Sequence, residues 1–153
     1  MIGFSFRETM RGHFYWLKQP MEEKSLVFSL SARAGHLRRF LVDKTCDVDG
    51  HVDAEGLAEQ APLNGTLRLT LLDERRLPYR FTFAGKDGRT YEFRGQKDIS
   101  VLDPVVTMTT LPASLYDDGG AEVARATVYF DVKRDLRSFL RSFRPELNLR
   151  SAR

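Results

Sequence analysis

The chain has little sulfur chemistry available to it, and this limits several classes of protein at once. Cys46 is the only cysteine among 153 residues, so an internal disulfide and a zinc site built from several thiolates are both excluded. A lone cysteine favours a reducing compartment. No apolar run approaches the ~18 residues of a membrane-spanning helix, and the N-terminus lacks the pattern of a secretory signal. We therefore expect a cytoplasmic location.

Catalytic signatures are also missing. The sequence has no phosphate-binding loop, no nucleophile elbow and no dinucleotide fingerprint, and its histidines, His13, His36 and His51, are widely spaced. Residues 45–56, "TCDVDGHVDAEG", resemble a calcium loop only in part, because the first and twelfth positions are Thr45 and Gly56 instead of two acidic ligands. We interpret this stretch as a loop followed by an exposed strand over 50–56. No cofactor, no metal site and no catalytic residue are predicted.

The overall composition is that of one folded domain over residues 1–153. Hydrophobic residues make up 42% and charged residues 29% of the chain, enough for one sizeable core. The net charge of +3 is concentrated at the C-terminus, because the segment from Lys133 onward contains seven basic residues and only two acidic ones. Because the rest of the chain is slightly acidic and does not alternate basic with aromatic residues, we expect no nucleic-acid partner.

Strand-like alternation of apolar and polar residues recurs along most of the chain. The apolar positions of three such strands share one face each: Leu26, Phe28, Leu30 and Ala32; Leu67, Leu69 and Leu71; Leu77, Tyr79, Phe81 and Phe83. The Asp-Gly pair in "GKDG", 85–88, predicts a hairpin turn, and "DDGG", 117–120, predicts another turn between strands at 104–116 and 124–132.

Two stretches have helical spacing instead. Residues 34–43 place Leu37, Phe40 and Leu41 on one face, and residues 133–145 carry an apolar stripe of Leu136, Phe139, Leu140 and Phe143 that ends at Pro145. We therefore predict an all-β protein, an antiparallel barrel of the lipocalin or calycin type. It has about eight or nine strands, one short helix and a C-terminal amphipathic helix. The arginines of that last helix most simply form a solvated face, although such a helix can also dock on an anionic membrane.

The stretch "FSFRETMRGHFYW", 4–16, contains an acidic residue where an apolar one is expected. Its inward face reads Phe4, Phe6, Glu8, Met10, Gly12, Phe14 and Trp16. The strand over 89–99 mirrors it, with Lys97 on the face of Tyr91 and Phe93. Because a buried carboxylate needs a partner, we expect Glu8 and Lys97 to meet inside the fold. A structural ion pair is the simplest role, a polar anchor for a ligand is the second, and acid–base catalysis by Glu8 is the third.

Several short motifs follow one another along the chain: Phe6, Glu8, Met10 and Gly12; Tyr79, Phe81 and Phe83; Asp87 and Gly88; Gly95 and Lys97; Thr109, Thr110 and Leu111. In this order they resemble an accessory module associated with bacterial GMC oxidoreductases of the cholesterol-oxidase type. The resemblance implies sterol or lipid chemistry nearby and an oxidoreductase as a possible protein partner. It implies no redox activity for this chain, because no dinucleotide-binding fingerprint is present.

These observations lead to a non-catalytic binding protein for an apolar or amphipathic small molecule, lipid-like or sterol-like, held inside the barrel. The candidate ligand-binding residues are Glu8, Lys97, Phe6, Phe81, Phe83, Tyr91, Phe93 and Thr109. Thr107 and Thr109 are expected on one strand face with Leu111. The alternatives are an interaction module that docks on an oxidoreductase partner, and a small enzyme that uses Glu8.

Overall fold

A computed structural model describes residues 2–35, 40, 42–70 and 74–147. The segments with alternating apolar and polar residues form the strands of one closed sheet. The strands are β1 (Ile2–Trp16), β2 (Lys24–Ala34), β3 (Thr45–Ala54), β4 (Ala58–Arg68), β5 (Arg76–Ala84), β6 (Thr90–Asp98), β7 (Thr110–Tyr116), β8 (Glu122–Tyr129) and β9 (Arg144–Leu147). Two short helices are described, α1 (Pro104–Thr109) and α2 (Val132–Arg141). None of the helices in these ranges is long and apolar enough to cross a bilayer.

The barrel is an antiparallel meander that closes on β1. Strands β1 to β8 pair in chain order, and β1 pairs with β2 on one side and with β8 on the other. The predicted barrel is therefore confirmed, with eight strands in the closed sheet and β9 as an extra strand beside the beginning of β1. Closure leaves few unpaired strand edges. The hairpin predicted at 85–88 joins β5 to β6.

The inward faces are those that the period of two predicts. Along β1, Phe6, Glu8, Met10 and Phe14 are buried, and along β5 the buried set is Leu77, Tyr79, Phe81 and Phe83. Side chains in a strand alternate between the two faces of the sheet. The core is therefore one continuous cluster inside the barrel. Leu71 lies outside the described residues.

Two sequence-based assignments are wrong. The segment predicted as a strand over 104–116 begins as α1, so Thr107 and Thr109 do not share a strand face with Leu111. Pro104 suits a first helical turn, and each threonine hydroxyl donates to the carbonyl four residues earlier, Thr107 to Asp103 (2.9 Å) and Thr109 to Val105 (2.7 Å). These bonds offset the low helix propensity of β-branched residues.

The calcium-like stretch is also not a loop. Asp47 and Asp49 lie within β3, which pairs with β2 from Leu26–Ala54 to Arg33–Asp47. The strand therefore begins at Thr45, not at Gly50. Across the described ranges, no group of three or more His, Cys, Asp and Glu side chains is arranged to hold a metal ion.

The two predicted helices have different outcomes. The C-terminal helix is present as α2, starting one residue earlier and ending four residues before Pro145. Asp131 caps its start, since its side chain accepts a hydrogen bond from the Arg134 backbone N–H (3.1 Å). Half of the helix predicted over 34–43, including His36, Leu37 and Leu41, lies outside the described residues.

Candidate functional site

Glu8 and Lys97 meet inside the barrel, as the strand periodicity predicts. Lys97 Nζ lies 3.4 Å from Glu8 Oε1, and the two residues are only 4% and 7% exposed. They come from β1 and β6, which are not neighbours in the sheet. The two side chains therefore reach each other across the barrel interior.

Tyr79 is a third member of this polar cluster. Its hydroxyl donates to Glu8, with distances of 2.8 Å to Oε1 and 3.1 Å to Oε2. Its ring also lies 5.2 Å from Lys97 Nζ. Burial, then the charge of Glu8 and its hydrogen bond, raise the pKa of the Tyr79 phenol well above its usual value. The phenol is therefore a fixed donor to Glu8 at neutral pH.

The polar cluster borders a cavity of about 420 Å³ at one end of the barrel. Phe4 and Phe6 of β1, Leu77 of β5 and Met108 of α1 lie on its wall. The other lining residues are Glu8, Leu67, Leu69, Tyr79, Lys97, Thr109, Phe130, Val132, Leu136, Phe139 and Phe143. Glu8 and Lys97 are the only ionisable groups in this set apart from the Tyr79 phenol. The cavity is thus an apolar space with a small polar cluster.

The polar cluster is the inner end of this space. On β1 the lining residues stop at Glu8, on β5 at Tyr79 and on β6 at Lys97. The next inward residue on β1, Met10, is fully buried. We call Glu8, Tyr79 and Lys97 the polar floor of the cavity.

Beyond the polar floor, aromatic side chains fill the barrel. Phe81 and Phe93 stack with ring centroids 4.5 Å apart, and Phe28 packs on both at 5.2 and 5.4 Å. Four of the candidate ligand-binding residues, Phe81, Phe83, Tyr91 and Phe93, lie in this packed half and not on the cavity wall. The other four, Phe6, Glu8, Lys97 and Thr109, border the cavity.

Helix α2 covers a gap in the sheet beside the cavity. Strand β8 pairs with residues 11–16 of β1, and β9 pairs with residues 2–5, so the pairing leaves residues 6–10 between them. Ser142, at the C-terminal cap of α2, accepts a hydrogen bond from the Arg7 backbone N–H at 2.7 Å. This bond anchors the helix to β1 where strand pairing is interrupted.

Aromatic contacts continue this anchoring on the cavity side. The Phe6 ring lies 5.1 Å from that of Phe143 and 5.7 Å from that of Phe139, and Phe139 also contacts Phe130 at 5.4 Å. Leu136 and Phe143 remain partly exposed although they line the cavity. The cavity therefore opens to solvent beside α2.

The remaining potential nucleophile is shielded. Cys46 is fully buried, and burial together with Asp47 and Asp43 raises the pKa of its thiol to about 12. His51 lies on the exposed face of the same strand, so the two side chains point to opposite sides of the sheet. His13 pairs with Glu23 on the outer surface (3.0 Å).

A larger depression of about 690 Å³ lies on the outer face of strands β1 to β4. Its lining alternates hydroxyl, amide and charged groups such as Ser31, Asp49 and Asn64. Glu8 borders this depression as well, whereas the interior cavity is lined by all three residues of the polar floor. We therefore place the candidate site in the interior cavity.

The fold and this site define a closed antiparallel barrel with an interior cavity at one end. Comparison of the chain with protein-family models, with curated proteins and with solved structures gives no match. The resemblance to a GMC-associated module and the docking on an oxidoreductase therefore stay predictions.

Proposed function

We propose that the barrel binds an amphipathic, lipid-like small molecule, with its apolar part in the cavity and its polar end at Glu8, Tyr79 and Lys97. The observation that supports this most strongly is the apolar cavity of about 420 Å³ that ends on a buried acid–base pair. Ligand pockets of ~300–1,000 Å³ are commonly apolar with a few placed polar groups. A purely structural ion pair would need no space beside it.

Lys97 and Glu8 of the polar floor can each form more hydrogen bonds than they do within the described residues. Lys97 Nζ carries three N–H groups, and within the described part of the chain its one hydrogen-bond acceptor is Glu8 Oε1, at the long distance of 3.4 Å. Glu8 Oε2 shares the single Tyr79 proton with Oε1. A ligand group that accepts from Lys97 and donates to Glu8 would complete both sets of bonds, and a hydroxyl does both.

The charge of the floor favours an uncharged head group. Glu8 and Lys97 neutralise each other formally, so a carboxylate or ammonium entering the cavity would add one uncompensated charge to a site with few polar partners. Burying an unpaired charge is costly, whereas a hydroxyl group brings no charge into the cavity. The ligand class that fits is a neutral amphiphile such as a long-chain or ring-bearing alcohol.

Three ligands that share a ten-carbon alkyl chain but differ in their head groups test this proposal. At ~30 Å³ per water-sized group, the cavity holds about 14 non-hydrogen atoms, which suits 1-decanol, decanoate and decylammonium. We expect 1-decanol to bind at least ~10-fold more tightly than either ion in isothermal titration calorimetry at pH 7, a difference of ~1.4 kcal/mol. Glu8→Gln should shift the preference toward decanoate, and Lys97→Met toward decylammonium.

The outcomes separate the two parts of the proposal. If none of the three ligands binds the wild type, the binding function is wrong. If all three bind equally and the variants do not alter their order, the cavity binds apolar chains but the polar floor does not select the head group. Val123→Ala, on the far side of the polar floor and outside the cavity wall, serves as the control and should leave the order unchanged.

A further inference from the structure

Exposed aliphatic side chains cluster on the loop and helix that border the cavity. Val101, Leu102, Val105 and Val106 are between 54% and 98% exposed, and Leu102 is the most exposed of them. Single exposed aliphatic residues are common on protein surfaces, but a contiguous set is typical of an interaction site. We call these four residues the aliphatic tip. Met108 and Thr109, at the end of the same helix α1, line the cavity.

Basic side chains lie on the other helix at the same end of the barrel. Lys133, Arg134, Arg137 and Arg141 of α2 are exposed, and so is Arg144 just after it. We call these five residues the basic face. The one acidic residue within α2, Asp135, lies 3.5 Å from Arg11. Asp103 near the aliphatic tip and Asp131 at the N-terminal cap of α2 add two negative charges, so the five residues of the basic face keep an excess of three positive charges.

The apolar side of α2 is only partly covered. Leu140 is 58% exposed, and Leu136 and Phe143 are partly exposed where they line the cavity. A helix with arginine and lysine on one side and leucine and phenylalanine on the other is typical of segments that lie in the interface of a membrane. The apolar side continues directly into the cavity wall.

From these features we propose that this end of the barrel docks on an anionic lipid bilayer, with the aliphatic tip inserted among the lipids and the basic face against their head groups. Charge complementarity favours a membrane, because the exposed groups combine one sign of charge with apolar side chains. The cavity is lined by Met108 and Thr109 of α1 and by the apolar side of α2, so it lies between the two helices. An apolar ligand could therefore pass between bilayer and cavity with little exposure to water.

The docking rests on the exposed residues and not on the ligand proposal, so the two are tested separately. The first measurement is flotation of the protein with phosphatidylcholine vesicles in which about a third of the lipid is phosphatidylserine, compared with pure phosphatidylcholine. We expect the protein to bind the anionic vesicles, and this binding should weaken as salt is added. At 0.1 M salt the attraction between exposed charges is largely screened beyond ~10 Å.

Two sets of variants identify the surface. Leu102→Asp should abolish flotation, whereas Met21→Asp, at a residue 95% exposed in the β1–β2 turn at the other end of the barrel, should not. Arg137→Glu with Arg141→Glu should weaken binding at least ~20-fold, because each basic residue near an anionic surface contributes roughly a fivefold factor. Lys18→Glu with Lys86→Glu makes the same change in net charge away from the cavity and should have a much smaller effect.

None of these residues lines the cavity, so binding of 1-decanol in solution should be the same in all variants. Far-UV circular dichroism, which does not depend on ligand binding, confirms that each variant is folded. Failure of the wild type to float with anionic vesicles would overturn the proposal and leave the surface to a protein partner. Equal loss in the test and control variants would overturn it too, because it would show only a general effect of charge or hydrophobicity.

Discussion

Replacing Lys97 by methionine tests the energetic importance of the polar floor. Methionine keeps most of the apolar stem and removes the ammonium, which leaves Glu8 buried with Tyr79 as its remaining hydrogen-bond donor. Removing one partner of a buried ion pair costs ~3–5 kcal/mol. We expect the lower end of that range, ~3 kcal/mol, because the Tyr79 hydrogen bond persists and the cavity admits water. A domain stable by ~5–15 kcal/mol stays folded after such a loss.

Glu8→Gln and the double variant distinguish the energy of the ion pair from a general disruption of the core. Glu8→Gln still accepts the Tyr79 hydroxyl but leaves Lys97 without a counter-charge, so we expect a loss of ~2–3 kcal/mol. The double variant contains no buried charge, and its expected loss is only ~2 kcal/mol. The coupling energy between the two sites is then ~3–4 kcal/mol, at or just above the upper end of the range for residues in direct contact.

Urea unfolding at pH 7 measures the free energy of unfolding of the wild type, the two single variants and the double variant. Trp16, the only tryptophan, lies at the far end of the barrel against Tyr91 and reports on unfolding without contacting the mutated residues. The exposed pair Arg76–Asp98, 3.7 Å apart on the strands that carry Leu77 and Lys97, is the control. Its cycle of Arg76→Met and Asp98→Asn should give a coupling energy below ~1 kcal/mol. A coupling for Glu8 and Lys97 as small as that would show that the buried pair contributes no more than an exposed one.

Three further predictions address other parts of the barrel. The raised pKa of Tyr79 means that its protonated phenol stabilises the fold below the ordinary pKa of about 10 and that this contribution is lost as the pH rises further. Above pH ~10 the wild type should therefore lose up to ~1.4 kcal/mol per pH unit more than Tyr79→Phe, and equal slopes would contradict this. Cys46, with a thiol pKa of about 12, should react with a disulfide reagent no faster than the barrel unfolds, and rapid labelling of the native protein would argue against its burial. In Gly65→Ala the new Cβ would lie 1.9 Å from the Arg80 carbonyl oxygen. We expect a loss of ~1–3 kcal/mol in thermal unfolding, whereas Gly119→Ala, whose nearest atom is 3.4 Å away, should be close to neutral.

Much of the barrel follows from the alternation of side chains in a strand. Because a strand places every second residue on the same face, the sequence alone assigns Glu8 and Lys97 to the interior, and the cost of an unpaired buried charge brings them together. The same alternation places Phe81 and Phe93 inside. It does not report how far along the barrel axis a residue lies, so these rings could not be distinguished from Phe6, which borders the cavity.

Other features depend on contacts that no local pattern encodes. The partner of the Tyr79 hydroxyl is set by the relative register of β1 and β5, which are separated in the sheet by three other strands. The only available signal was that a buried tyrosine hydroxyl needs an acceptor. Helix α1 was missed because Val105, Val106 and Thr107 favour strands, while Pro104 and the threonine hydroxyl bonds favour a helix.

We propose the space beside Glu8 and Lys97 as a ligand site, and a crystal structure of the protein with 1-decanol would show whether it is one. We expect the alkyl chain among Phe6, Leu77 and Phe139, with the hydroxyl oxygen within hydrogen-bond distance of Lys97 Nζ and Glu8. A cavity occupied only by water, or closed by movement of α2 onto the polar floor, would contradict it.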